Sequence, residues 1–288
     1  MSNKHIQTHL EMMKDCLKLM EHSEGDNYRK VEFVGSILSL FSPIQKEKLN
    51  VLYENKPYLL SSITHDFWNL GNVLHRLEWQ KEKLKDVEPV GLWYTYASMD
   101  IEYFYTVFRS LCDYFAELIA SCYSGTPNIP NSREESFYKL LVWVHRKKDK
   151  LDKDFLKIFK QANLLKGENE IYRTWFGHIR EIRDDIIHRG ANSIIYGEPN
   201  EGILFQIKKR DFNNTISALP HIKYNDNGII YFDRYASLQI SSLLNFTEYL
   251  ARYIIKKYDL KETETRCSSF DVVYKWMSEF KNRLEMKN

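Results

Sequence analysis

Cysteine, glycine and proline are all scarce in this chain of 288 residues. The four cysteines lack paired CxxC spacing, which argues against a disulfide framework and a zinc site and favours a reducing compartment. With 11 glycines and 7 prolines, the composition argues against collagen-like, low-complexity and turn-dense all-β proteins. No stretch approaches the roughly 18 uninterrupted apolar residues of a membrane-spanning helix, and the start of the chain is too polar for a signal peptide. We therefore expect a soluble, cytoplasmic protein without a membrane partner.

Several common catalytic and cofactor motifs are also missing. There is no GxGxxG and no GxxxxGK[ST], so dinucleotide binding and P-loop NTPase chemistry have no support. There is no HExxH, no GxSxG and no dense cluster of His, Cys and carboxylates, so a metallohydrolase or an α/β-hydrolase site is not expected. We predict that the protein uses no metal and no cofactor.

The residues that are present indicate a large folded core. Hydrophobic residues make up 43% and charged residues 28% of the chain, which excludes wholesale disorder. The 41 Lys and Arg nearly balance the 39 Asp and Glu, for a net charge of +2. A near-neutral total does not indicate nucleic-acid binding by itself, although a local basic patch would still allow it.

Helical periodicity covers most of the chain. The predicted helices span residues 4–22, two shorter stretches within 28–55, then 62–86, 91–123, 132–149, 152–166, 169–189, 236–257 and 268–286. After Gly190, SIIYG, ILFQIKKRD and GIIYFDRY are β-like and are separated by turn signals. We therefore predict a mainly α protein, an antiparallel helical bundle with a small β-hairpin or short sheet. The expected division is an N-terminal helical extension (1–58), a bundle (59–258, with the β insertion at about 191–233) and a C-terminal helix (259–288).

The segment from Trp175 to Gly190 has two distinct faces. On a helix, one narrow stripe carries the core-facing side chains, which are Trp175, Ile179, Ile182 and Ile186. The opposite face carries Arg180, Asp184, Ile187 and His188, with Arg183 on its flank. Ile187 is apolar among charges, which suggests that this face meets something, such as a second copy of the chain.

Residues on this polar face could also form only a solvated charge ladder. Asp184 and His188 are four apart and can touch, and a carboxylate neighbour favours the charged imidazole. Arg183 adds a planar donor fork suited to phosphate. Spacing alone is weak evidence, because Arg173 and His178 show the same separation.

The sequence Arg183-Asp-Asp-Ile-Ile-His188 resembles the Arg-polar-x3-His motif of HEPN domains (higher eukaryotes and prokaryotes nucleotide-binding). The resemblance covers roughly residues 60–258, and Asp184 fills the polar position where Asn is common in the family. It implies a metal-independent endoribonuclease that leaves a 2′,3′-cyclic phosphate, with His188 as general acid or base, Arg183 on the scissile phosphate and Asp184 orienting either one. It also implies a homodimer through the 171–189 face, since Arg183 and His188 lie about 140° apart on one helix.

The resemblance implies a toxin or phage-defence effector, held by a neutralising antitoxin or regulator. The alternatives are a non-catalytic HEPN module that binds nucleotide or RNA or dimerises, and an unrelated helical scaffold whose motif is accidental. For RNA binding, the predicted cationic residues are Arg180, Arg189, Lys147, Lys148, Lys208 and Lys209. The basic groups 146–148 and 208–210 are also readily explained as solvated charged turns.

The long apolar helix at 91–123 contains both aromatic and polar positions. Its aromatic residues recur at helical spacing, which predicts core packing rather than base stacking for Tyr96, Tyr103, Phe104, Phe108 and Phe115. Its polar interruptions, Asp100, Glu102 and Arg109, either face the motif or lie at the surface, and we favour the surface.

Overall fold

The computed structural model describes residues 2–25, 28–84, 92–131, 136–189, 193–196, 202–207, 220–225, 228–263, 266–267 and 269–286. The α-helices are α1 (Ser2–Lys18), α2 (Ser36–Ser39), α3 (Asn50–Asn55), α4 (Pro57–Leu84), α5 (Leu92–Cys122), α6 (Phe137–Lys147), α7 (Lys153–Gln161), α8 (Trp175–Arg189), α9 (Phe232–Tyr258) and α10 (Asp271–Glu285). The strands are β1 (Met20–Gly25), β2 (Tyr28–Phe33), β3 (Ser193–Tyr196), β4 (Leu204–Ile207) and β5 (Ile230–Tyr231). This confirms a mainly α fold with a short antiparallel sheet.

Helix α9 is the central element of the bundle. It packs against α1, α2, α7 and α10, and most of its side chains are buried on every face. The hydroxyls of its buried Ser237 and Ser241 are satisfied within the helix, because they donate to carbonyls four residues earlier at 2.7 and 2.6 Å. Phe246 lies in the centre of the aromatic core, 5.4 Å from the ring of Phe137 and 6.2 Å from that of Trp175. The start of α8 therefore contacts the central helix through Trp175, while α8 as a whole packs on α5.

Helices α4 and α5 form a long antiparallel pair beside α9. Three of the predicted core aromatics of α5, Phe104, Phe108 and Phe115, are fully buried. The core prediction was wrong for Tyr96 and Tyr103, which are 44% and 42% exposed. Helical spacing alone did not separate the aromatic edge of the stripe from its buried centre.

The N-terminal region contains a β-hairpin that was predicted as helix. β1 pairs with β2, with Met20 opposite Phe33, so α1 ends before residue 20 and the predicted helix within 28–33 was wrong. The hairpin is fixed by tertiary contacts, because Phe33 exchanges backbone hydrogen bonds with Cys267 and Val31 N donates to Asp271 Oδ1 at 2.7 Å. Long-range pairing of this kind overrides local helical preference.

The second sheet follows α8 and has the order β3-β4-β5, with both pairs antiparallel. The third β-like segment contributes only Ile230–Tyr231, and α9 begins at Phe232, four residues earlier than predicted. Phe205 of β4 packs on the rings of Phe232 and Tyr105. The sheet is thus a cover over α5 and the start of α9.

Helix α10 closes the bundle against α4, α1 and α9. Glu78 of α4 accepts hydrogen bonds from Lys275 Nζ at 2.5 Å and Trp276 Nε1 at 3.0 Å. Ser36 donates to Glu248 of α9 through both its amide and its hydroxyl.

The predicted division of the chain into three parts stays a prediction, although both terminal parts pack on the bundle.

Among the described residues, no helix is both long and apolar enough to cross a membrane.

Candidate functional site

The start of α8 is fixed by Thr174 and Trp175. The Thr174 hydroxyl accepts a hydrogen bond from Gly177 N at 3.1 Å, as an N-cap residue does. The Trp175 indole donates to the Ala162 carbonyl at 2.9 Å, and its ring packs on Phe108 of α5. These contacts set the direction in which the helix presents its outer face.

The predicted core stripe of α8 is confirmed. Ile179 and Ile182 are at most 1% exposed, Trp175 is 8% exposed, and Ile186 packs partly buried against the core. Ile187 is 50% exposed, as the sequence predicted. The polar face of α8 is therefore available to a ligand or a second chain.

Arg183, Asp184 and His188 lie together near the end of α8. Arg183 Nη1 is 3.2 Å from His188 Nε2 and 3.3 Å from Asp184 Oδ1. The side chain of Arg183 is 29% exposed, and His188 lies at the surface. The guanidinium and imidazole meet within one chain although the residues are about 140° apart on the helix, because the long Arg183 stem spans the gap. The angular separation on the helix therefore does not prevent an Arg183–His188 contact within one chain.

The Arg183–His188 contact identifies the imidazole nitrogen that lies next to the guanidinium. A guanidinium has only donors, so a hydrogen bond at this contact is accepted by His188 Nε2. A lone pair on this nitrogen is what a general base uses. Arg183 Nε is buried and has no hydrogen-bond partner among the described residues, so one N–H donor of the guanidinium is unsatisfied.

Asp184 contacts two arginines. Besides Arg183, its Oδ2 lies 3.6 Å from Arg180 Nε. Of the two predicted roles for Asp184, orienting Arg183 therefore has direct geometric support.

A carboxylate of α5 faces the same cluster. Asp113 pairs with Arg109 at 2.9 Å and accepts a hydrogen bond from Phe137 N at 2.9 Å. Burial raises the pKa of Asp113, while Arg109, the Phe137 amide and Arg183 act in the opposite direction. The guanidinium of Arg109 lies 4.9 Å from the ring centroid of Phe176 on α8.

The surface interpretation of Arg109 and Asp100 was wrong. The side chain of Arg109 is only 13% exposed, because it packs between α5 and α8. Asp100 is 4% exposed and accepts hydrogen bonds from Arg76 and Gln80, away from the motif. Glu102 is partly exposed. Arg109 is thus the polar residue of α5 that supports the motif helix.

A cleft of about 540 Å³ lies beside α8, between α6 and the 3₁₀ turn Glu168–Arg173. Its lining includes Tyr138, Lys139, Arg146, Glu168, Tyr172 and Arg180. The Arg180 guanidinium lies 4.0 Å from the ring centroid of Tyr138, so Arg180 belongs both to the cleft and to the Asp184 cluster. The sequence pointed to Arg180 but gave no signal for the tyrosines, which reach the cleft only through packing.

The cleft depends on a close approach at Gly177. A Cβ at this position would lie 2.5 Å from the Tyr172 Cα and against the Ile171 carbonyl. We expect Gly177→Ala to lower the free energy of unfolding by about 1–3 kcal/mol, because the turn must move away from α8. Thermal and urea unfolding measure this loss. Gly167→Ala is the matched control, since its added Cβ would have no neighbour nearer than 3.6 Å.

Of the other predicted RNA-binding residues, the structure describes the side chains of Lys147 and Lys148 only. Lys147 and Lys148 are exposed at the end of α6, where Arg146 lines the cleft. Lys208, Lys209 and the side chain of Arg189 lie outside the described residues. Arg173 of the second Arg/His pair lies in the 3₁₀ turn before α8, where it pairs with Glu170.

Within the described residues, no group of three or more His, Cys, Asp and Glu is placed to hold a metal ion. All four cysteines are buried, and none of them forms a disulfide within the described part of the chain. Comparison of the chain with protein-family models, with curated proteins and with solved structures finds no match.

Proposed function

We propose that the protein is a metal-independent endoribonuclease of the HEPN type. The observation that carries this proposal is the 3.2 Å contact between Arg183 and His188 on the solvent face of α8. An imidazole and a permanently charged guanidinium side by side are the groups needed to cleave RNA through its own 2′-OH. Asp184 Oδ1, 3.3 Å from Nη1, positions the guanidinium.

In the proposed reaction, the RNA phosphate displaces His188 as the partner of Arg183. The freed Nε2 lone pair accepts the proton of the 2′-OH, and the 2′-oxygen then forms a bond to phosphorus. The bond to the 5′-oxygen breaks, and the leaving oxygen takes a proton from a second acid. Arg183 stabilises the negative charge on the phosphate in the transition state. The products are a 2′,3′-cyclic phosphate and a 5′-hydroxyl.

The second acid is the protonated imidazolium of His188 in a second copy, while the neutral His188 of the first copy is the base. Exposed Ile187 lies next to His188, so self-association of this helix face would bring two Arg/His pairs to one groove. A homodimer of this kind gives one base and one acid per phosphate. In the cell, such an enzyme fits a toxin or phage-defence effector that is held by a neutralising partner, which remains a proposal from the motif.

The test is cleavage of single-stranded RNA by the purified chain in EDTA. We expect fragments ending in a cyclic phosphate and no cleavage of DNA of the same sequence, because DNA lacks the 2′-OH. Mass spectrometry of the fragments identifies the ends. A requirement for a divalent metal, or cleavage of the DNA, would contradict the proposal. If RNA is bound through Arg183 but stays intact, the non-catalytic binding module is favoured instead.

A further inference from the structure

The cleft between α6, the 168–173 turn and α8 is separate from the Arg183–His188 pair but connected to it. Arg180 lines the cleft and its Nε lies 3.6 Å from Asp184, which in turn contacts Arg183. Arg180 and Arg183 are about 60° apart on the helix and roughly 4.5 Å apart along it. A strand held at Arg183 therefore passes the mouth of the cleft. At about 540 Å³, the cleft has the volume of a small-molecule site.

We propose that this cleft binds one nucleotide of single-stranded RNA next to the scissile phosphate. Tyr172 stacks on the base, and Lys139 and Arg146 contact the phosphate. That the nucleotide belongs to an RNA substrate rests on the proposed function, whereas nucleotide binding by the cleft does not. The cleft then determines which base is preferred beside the cleaved bond.

Tyr172 rather than Tyr138 has the ring that a base can use. Tyr172 is 40% exposed, whereas Tyr138 is half-buried and the Arg180 guanidinium lies over its ring at 4.0 Å from the centroid. Arg173 also lies over the Tyr172 ring, but farther away, at 5.4 Å from the centroid, and the ring has a second face. An exposed aromatic ring with an arginine beside it is typical of surfaces that bind single-stranded nucleic acid.

The cations of the cleft are held in place by a carboxylate. Arg146 directs Nε and Nη2 to Glu168 Oε1 at 2.7 and 2.6 Å. The hydrogen bond from Arg146 lowers the pKa of Glu168, which keeps this carboxylate ionised and the guanidinium oriented. Lys139 is exposed on the first turn of α6. Lys139, Arg146 and Arg180 outnumber the lining acids Glu168 and Glu181, so the cleft favours an anion.

The experiment is calorimetric titration of the 288-residue chain with adenosine 5′-monophosphate, which has no phosphodiester bond to cleave. We expect Tyr172→Ala to weaken binding about tenfold, because the stacking of the base on the ring is lost. Lys139→Ala should weaken binding of the monophosphate but not of adenosine. Tyr96→Ala, a tyrosine with 44% exposure on α5, is the matched control and should change neither. In a cleaving chain, Tyr172→Ala should also remove the base preference next to the cut.

Failure of the cleft and failure of the nuclease are distinguishable. If Tyr172→Ala leaves both the affinity for adenosine 5′-monophosphate and the base preference unchanged, the cleft proposal is overturned, even if RNA is cleaved. If the monophosphate binds and Tyr172→Ala removes that binding while RNA stays intact, the cleft is supported and the nuclease assignment falls. Because Tyr172 is largely exposed, a folded variant is expected, and circular dichroism checks this.

Discussion

Replacing His188 by alanine is expected to lower the rate of RNA cleavage by about 10²- to 10⁴-fold, the usual contribution of a general acid or base. In the proposed reaction, the imidazole Nε2 accepts the 2′-OH proton. Arg183, the hydrogen-bond partner that the described residues provide for this nitrogen, cannot replace it as a base, because a guanidinium does not accept a proton at neutral pH. Single-turnover cleavage of a labelled RNA in EDTA measures the loss. Arg183→Ala should cost about 10²- to 10³-fold through lost stabilisation of the phosphate.

The control for this prediction is His75→Ala, which removes an exposed histidine from α4. It should leave cleavage unchanged, and circular dichroism should show that all three variants are folded, because none of the replaced side chains belongs to the hydrophobic core. Wild-type rates in His188→Ala would show that the observed activity comes from another site or from a contaminating nuclease.

Much of the bundle was predictable because apolar periodicity and burial agree. The stripe of α8 and the buried centre of α5 follow from helical spacing, since those faces pack against other helices, whereas the exposed edge of α5 does not. The hairpin at 20–33 was not predictable in this way. Its strands are held by Cys267 and Asp271, more than two hundred residues away, and no local window contains that information.

The motif residues were predictable, but their contacts were not. Spacing pointed to an Asp184–His188 pair, whereas the geometry shows Arg183 between the two. The difference comes from side-chain length. The long arginine side chain extends to a residue five positions along the helix, whereas the short aspartate contacts the nearer guanidinium groups of Arg183 and Arg180. The cleft was missed because Tyr138 and Tyr172 come from α6 and the 168–173 turn and meet only in the folded chain.

Ile187→Glu is expected to convert the proposed dimer to a monomer and to lower cleavage at least as much as His188→Ala does. Ile187 is 50% exposed beside His188, so a glutamate there stays solvated in the single chain. Across a twofold axis it would place two like charges opposite each other in a desolvated contact, which opposes association. Light scattering at assay concentration measures the mass, and the same samples are used for cleavage.

The matched control is Ile44→Glu, since Ile44 is 72% exposed outside the motif helix. It should alter neither the mass nor the rate. A second test mixes wild type with an equal amount of His188→Ala chain and allows the subunits to exchange. If the site needs both copies, about a quarter of the activity of wild type at the same total concentration remains, because only about a quarter of the dimers have two wild-type chains. If each protomer acts alone, about half of the activity remains. A fully active monomeric wild type, or an Ile187→Glu chain that still dimerises and cleaves, would show that α8 works alone. Because the 3.2 Å Arg183–His188 contact already forms within one chain, cleavage by a single chain is the alternative to a groove shared by two copies.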